Sequence, residues 1–160
     1  MKKFSGFTKG NLARTYQKHG RFEEALQMRR DVYSGFLKHV GEENINTMST
    51  AINYASALHV LKRFKEAKEL MRRMLPVARR TRGESHSLTL SMRWSYARAL
   101  YDDDGATLDD LREASNTLGE TARTARRVFG GSHPLTVDIE FSLRQARAVL
   151  GERETPPRSA

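Results

Sequence analysis

The chain is 160 residues long, with 38% hydrophobic and 29% charged residues and a formal net charge of +9. It contains no cysteine, which excludes disulfides, thiolate metal sites and cysteine nucleophiles and is compatible with a reducing compartment. No apolar run reaches the ~20 residues of a membrane-spanning helix, and the first ten residues lack the apolar segment of a secretory signal. We therefore expect a soluble cytoplasmic domain with no membrane contact and an acidic partner, whose class the charge alone does not define.

The composition favours helices along the whole chain. Alanine, leucine, arginine and glutamate are abundant, proline occurs only four times, and alternating runs of β-branched residues are missing. The turn residues divide the chain into seven predicted helices of an all-α fold, near residues 5–19, 22–39, 46–61, 64–82, 87–101, 109–128 and 134–150. Residues 151–160 are polar and contain two prolines, so we expect them to form a flexible tail.

Short motifs recur along the chain at nearly constant spacing. GEENINT, GESHSLT and GGSHPLT begin at Gly41, Gly83 and Gly130, which lie 42 and then 47 residues apart. NLARTY, NYASAL and SYARAL follow the same 42-residue spacing, and the five extra residues of the third unit fall inside the acidic segment YDDDGATLDD. Each unit is a helix pair, whose first member we call helix A and whose second we call helix B. The sequence thus predicts three repeats and a capping helix, over about 5–41, 46–83, 87–130 and 134–150.

The recurring motif that begins at Gly41, Gly83 and Gly130 has a structural explanation. The glycine that opens each copy follows a predicted helix B, where a residue with positive φ ends a helix at least cost. Ser132 or His133 can cap the next helix, with Pro134 at its first position. A hydrolytic site made of Ser132, His133 and Asp138 ranks far below this interpretation, because sequence neighbours on a turn rarely converge as a triad does. We expect no catalysis, no metal site and no cofactor.

Several positions of the repeats resemble the pattern of a known family. Small residues recur in each repeat, a large residue follows the first of them, and a glycine ends the first helix A. These positions are Ala13, Ala55, Ala97, Ala25, Ala67 and Ala114, then Tyr16, Leu58 and Leu100, and Gly20. The pattern is similar to the tetratricopeptide repeat, and the 42-residue period with the motifs above resembles the kinesin light chain type. The resemblance implies a right-handed α-solenoid of antiparallel helix pairs that acts as a protein-interaction scaffold.

Two features depart from that family pattern. Repeat three carries the acidic insertion, and Arg144 stands where earlier repeats have Ala55 and Ala97, which indicates a terminal capping helix. No segment resembles the heptad region through which light chains join a kinesin motor, so a motor-cargo role is not implied. The short array is also compatible with a fragment of a longer one. The first helix has no polar cap before it, and exposure of Phe4 and Phe7 would then lead to self-association.

The resemblance places a ligand in the concave groove lined by the A helices. The implied groove residues are Asn11, Arg14, Lys18, Asn53, Ser56, His59, Trp94, Arg98 and Tyr101. The asparagines can hydrogen-bond a peptide backbone, the cations can pair with carboxylates, and the two aromatic residues are candidate anchors. We therefore predict an extended, acidic, partly apolar peptide, similar to the tryptophan-acidic motifs that kinesin light chains recognise. Alternatively, the asparagines bond neighbouring helices and Trp94 belongs to the core.

A second function remains open on the B helices, whose cations form what we call the basic stripe. Its members are Lys62, Arg63, Lys65, Lys68, Arg72, Arg73, Arg79, Arg80, Arg82, Arg123, Arg126 and Arg127. The stripe could bind nucleic acid or another anionic surface, but we rank it below a solvated helix face because no aromatic residues interleave to stack bases. Residues 102–104, three consecutive aspartates, weakly resemble a calcium loop, and we favour a solvated loop or an acidic lip that pairs with the stripe.

Overall fold

The computed structural model describes residues 6–155, with the backbone alone for residues 6–10, and within this part the chain forms seven α-helices and no strand. The helices are α1 (Gly6–Lys18), α2 (Phe22–Val40), α3 (Ile45–Val60), α4 (Phe64–Arg82), α5 (Ser87–Tyr101), α6 (Leu108–Phe129) and α7 (Pro134–Glu154). Their ends lie within one residue of the predicted ones except at the end of α7. The all-α prediction is confirmed. None of the described helices is both long and apolar enough to cross a bilayer.

The last helix is longer than the sequence predicts. It ends at Glu154 rather than near residue 150, so residues 151–154 are helical and not part of a loose tail. The extension is held by Glu154, which pairs with Arg112 of α6 at 3.0 Å, and by Arg153, which donates to the carbonyl oxygens of Ala106 and Asp104. Residues 156–160 lie outside the described part, as do Phe4 and the side chain of Phe7, on which the expected self-association depends.

The helix ends follow the repeated motif. Gly41, Gly83 and Gly130 have φ values of 81°, 88° and 86° and end α2, α4 and α6, as predicted. Each glycine N–H donates to the carbonyl oxygen four residues earlier. This bond satisfies one of the carbonyl groups in the last turn of the helix. Glycine is favoured at these three points because a Cβ atom makes this left-handed conformation costly.

Each following helix is capped by the polar residue at a fixed place in the motif. His133 Nδ1 accepts the N–H of Leu135 at 3.2 Å, and His86 makes the same bond with Leu88 at 3.1 Å. Asn44 is the corresponding cap of α3. The capping interpretation is confirmed, with His133 rather than Ser132 as the cap. Because its Nδ1 accepts this N–H, His133 cannot at the same time donate from Nδ1 to a carboxylate, as the histidine of a hydrolytic triad does.

Helices A and B cross closely at the repeated alanines. Each of these is at most 1% exposed: Ala13, Ala25, Ala55, Ala67, Ala97 and Ala114. Every helix packs against the next along the chain, and α3 also packs on α5 and α5 on α7. Over the residues that the structure covers, the B helices α2, α4 and α6 do not pack directly on one another. The A helices α3, α5 and α7 therefore stack as the inner layer of the array, with α1 at its end packed on α2, and the B helices form the outer layer.

The side of α7 that carries Arg144 differs from the same side of the earlier A helices. Arg144 is exposed, whereas Ala55 and Ala97 at the same repeat position are fully buried. Its guanidinium lies over the ring of Phe141, itself 55% exposed, with 5.8 Å between the guanidinium carbon and the ring centroid. Within the described chain no further helix pair covers this face. The position of α7 is therefore that of a terminal helix in the described array.

Candidate functional site

The predicted groove residues lie on three A helices of the inner layer. Their exposure divides them into three groups. Asn11, Arg14, Lys18, Asn53 and Ser56 are exposed, His59, Trp94 and Arg98 are partly buried, and Tyr101 is buried. The structure thus places eight of the nine side chains at least partly at the surface and brings three of them, on α3 and α5, into direct contact.

Trp94 joins two adjacent A helices. Its indole Nε1–H donates to Ser142 Oγ of α7 at 2.7 Å, and its ring packs against the hydrophobic core. The guanidinium of Arg98 lies over the same ring, with its central carbon 5.4 Å from the ring centroid. This separation is within the range of a cation–π interaction. Trp94 is therefore partly a core residue, and it also fixes the position of a neighbouring cation.

The Arg98 side chain is held from a second side by α3. Arg98 Nη2 lies 3.1 Å from His59 Nε2, and the same nitrogen of His59 lies 2.9 Å from Asp102 Oδ2. Asp102 Oδ2 is also 3.9 Å from Arg98 Nε. Because one ring nitrogen cannot accept and donate at the same time, His59 bonds either Arg98 or Asp102 through Nε2. When it donates to Asp102, Arg98 Nη2 is available to a ligand.

Asp102 was not among the groove residues that the sequence indicated. The sequence predicts that the three consecutive aspartates form a solvated loop or a lip that pairs with the basic stripe, but Asp102 pairs with the inner layer instead. Asp103 Oδ1 accepts the Gly105 N–H at 3.0 Å and so shapes the turn. The described residues contain no group of three or more histidine or acidic side chains placed to hold a metal ion. The only sequence signal near this contact is the run of acidic residues that contains Asp102.

The expectation that Tyr101 is an aromatic anchor at the groove surface is wrong. Tyr101 is 8% exposed and belongs to the hydrophobic core. Burial raises the pKa of its phenol above the ordinary value, although the nearby Ser142 hydroxyl opposes the shift. The cause is long-range packing: α7 lies against α5 and covers this position. We therefore leave Tyr101 out of the ligand-contacting surface.

Several cations of the basic stripe are paired with acidic side chains of the chain itself. The pairs are Arg63–Glu66 (2.6 Å), Lys68–Asp110 (3.8 Å), Arg79–Glu84 (3.0 Å), Arg80–Glu43 (2.8 Å) and Arg126–Glu140 (2.7 Å). The Arg72 guanidinium also donates to the Tyr96 hydroxyl at 3.2 Å. The ion pairs neutralise part of the charge on the outer layer, which weakens the case for a continuous nucleic-acid surface.

The stacked helix pairs define the class of protein, an all-α solenoid of helical repeats. The tetratricopeptide repeat family model matches residues 8–45 and 47–88, and the chain belongs to this family. Repeats of this family generally mediate protein–protein interactions and are typically not enzymes. The predicted family is therefore confirmed.

Solved structures agree with the fold. The chain is similar to the nearly identical TPR-like repeats of a kinesin light chain-like protein of Podosopora anserina, with 22% identity, a TM-score of 0.82, and coverage of 95% of this chain and 70% of that one. A single-substitution variant of that protein matches with 17% identity, a TM-score of 0.59, and coverage of 94% and 89%. BtubC (BKLC) from P. vanneervenii matches with 16% identity, a TM-score of 0.58, and coverage of 97% and 68%. No curated protein shows a significant match. At these identities the similarity shows the fold.

Proposed function

We propose that the inner layer binds an extended acidic segment of a partner protein in the cytoplasm and that the chain acts as a non-catalytic scaffold. The observation that carries the proposal is the Arg98 guanidinium over the Trp94 ring. The Arg98 side chain is 36% exposed, and Trp94 and His59 restrict where it can lie. A cation fixed in this way loses little conformational entropy when it pairs with a carboxylate.

The exposed polar residues nearby suit an extended backbone. Asn53 and Ser56 are exposed on α3, the helix that packs beside Arg98 on α5. Their side chains can donate to and accept from peptide groups, which are the same in every peptide sequence. Arg14 and Lys18 on α1 carry the positive charge further along the inner layer. We infer that the backbone contacts hold the segment and that the cations select acidic side chains.

Charge reversal at both ends of this surface tests the proposal. The probe is a synthetic acidic peptide with one tryptophan, titrated by fluorescence anisotropy. We expect Arg14→Glu with Arg98→Glu to weaken binding by about ten-fold or more, because two charge-assisted contacts become repulsive. Raising the salt concentration should also weaken binding to the wild type.

The matched control is Arg30→Glu with Lys38→Glu, which changes the net charge equally at exposed positions of α2. This control should bind like the wild type. Equal weakening in both double variants would reduce the effect to net charge and contradict a site on the inner layer. Tighter binding of generic RNA than of the peptide would favour the basic stripe instead.

Removal of the competing carboxylate should have the opposite effect. Asp102→Asn takes away the negative charge next to Arg98 and His59, so we expect the acidic peptide to bind about three- to five-fold more tightly, the size of one partly exposed ion pair. Asp103→Asn is the control, since it removes the same charge from the same loop, where the Asp103 side chain accepts the Gly105 N–H. If both substitutions strengthened binding equally, Asp102 would have no specific effect on Arg98.

A further inference from the structure

A cavity of about 520 Å³ lies on the outer layer, between α4 and α6 and above the middle of α5. Four arginines and two glutamates contribute to its wall. They are Arg79, Arg93, Arg123, Arg127, Glu84 and Glu120. None of the predicted groove residues lines this cavity. Two cations remain in excess over the acidic side chains.

One part of this wall is rigid and neutralised. Arg93 has a side chain only 9% exposed, its Nη2 lies 2.6 Å from Glu120, and its Nη1 lies 3.7 Å from Glu84. Arg79 Nε pairs with Glu84 at 3.0 Å. The Nε atom of Arg93 is buried and has no hydrogen-bond partner within the described residues. The two glutamates thus hold two arginines at the cavity while leaving a donor unsatisfied.

The other part of the wall is unpaired. Arg123 and Arg127 are exposed on α6, with Thr124 between them, and all three line the cavity. Within the described chain these three side chains make no hydrogen bond or ion pair. They lie along one side of α6 because residues three and four apart face the same direction on a helix. The cavity therefore offers two free guanidinium groups and one free hydroxyl.

The buried arginine is particular to this repeat. The equivalent residue is Ala51 on α3 and Glu140 on α7, so Arg93 is not required by the repeat pattern. Burial of a guanidinium carries a desolvation cost that alanine avoids. Arg93 therefore depends on the two glutamates that pair with it, and these glutamates line the cavity as well.

We propose that this cavity binds a phosphate monoester carried on a side chain of a partner protein. Such a group carries a charge of about −1.5 to −2 at neutral pH, which matches the two excess cations, and has three acceptor oxygens. Planar guanidinium groups bind these oxygens in bidentate fashion, and the Thr124 hydroxyl supplies one further donor. A phosphodiester carries a single charge and leaves one cation unmatched.

Isothermal titration at constant ionic strength tests the proposal, with a phosphoserine peptide, the same peptide without phosphate, inorganic phosphate and a short single-stranded DNA as probes. We expect the phosphopeptide to bind more tightly than the other three. Arg123→Gln with Arg127→Gln should weaken its binding by about ten-fold or more. Arg30→Gln with Lys38→Gln, which removes the same charge from α2, should leave it unchanged.

Other results would overturn the proposal in distinguishable ways. If the phosphopeptide bound the Arg123 and Arg127 double variant as tightly as the control double variant, these two arginines would not form the site. DNA binding as tight as that of the phosphopeptide, with the same dependence on Arg123 and Arg127, would assign the cavity to nucleic acid. Inorganic phosphate binding as tightly as the peptide would assign it to the free anion. Substitutions of Arg14 and Arg98 leave this cavity intact, so failure of the groove proposal is measured separately.

Discussion

Ala97→Arg is expected to lower the free energy of unfolding by more than about 4 kcal/mol, a large part of the roughly 5–15 kcal/mol of a native domain. Ala97 is fully buried on α5 within the hydrophobic core. Arginine at this point would force the packed helices apart and bury a charge among apolar side chains. Urea denaturation followed by circular dichroism measures the loss.

The same repeat position on α7 supplies the matched control. Arg144→Ala removes an arginine instead of adding one, at an exposed position that contacts Phe141. We expect a change within about 0.5 kcal/mol, as for most surface substitutions. If Ala97→Arg unfolded at the same urea concentration as the wild type, the assigned repeat register would be wrong. A large loss for Arg144→Ala would show that α7 does not end the described array.

Leu100→Ala should have the next largest effect, a loss of about 2–5 kcal/mol in the free energy of unfolding. Leu100 is 1% exposed, as is Leu58 at the same position of the preceding repeat. Truncation to alanine removes apolar contacts and leaves a cavity that the rigid helix stack fills only in part. Chemical denaturation measures this loss in the same way.

Leu108→Ala is the control for side-chain type, because Leu108 is 38% exposed at the first residue of α6. Its removal should cost less than about 1 kcal/mol, since far less apolar surface is buried there. Similar losses at Leu100 and Leu108 would contradict the assignment of Leu100 to a core layer repeated along the array.

The helices and their order were predictable because their ends depend on local chemistry. The backbone at Gly130 has a positive φ, which favours glycine, and His133 and Pro134 suit the start of the next helix. The residues of one short motif therefore define the end of one helix and the start of the next. The alanines at the helix crossings were predictable for a related reason. Their spacing repeats along the chain, and each crossing needs a small residue at the same place. The repeated spacing therefore predicted which residues lie where two helices pack together, which the sequence of a single helix does not show.

The candidate site was predictable only in part, because its contacts join distant segments. Tyr101 occupies the same repeat position as His59, but α7 covers Tyr101 while His59 remains at the edge of the inner layer. Asp102, the residue that directly follows α5, pairs with His59 of α3, which is distant in the sequence. Arg93 is buried on α5, and its partners Glu84 and Glu120 come close to it only in three dimensions. None of these contacts has a periodic signal in the sequence.

Recognition by the inner layer can be tested by residue-resolved NMR during titration with the acidic tryptophan peptide. We expect saturable shifts of the amide and side-chain signals of Asn53, Ser56, Trp94 and Arg98, with the B helices little changed. The Trp94 indole N–H, bonded to Ser142, should be among the strongest reporters. Shifts confined to α2, α4 and α6, or no saturable shift at any concentration, would contradict recognition by the inner layer.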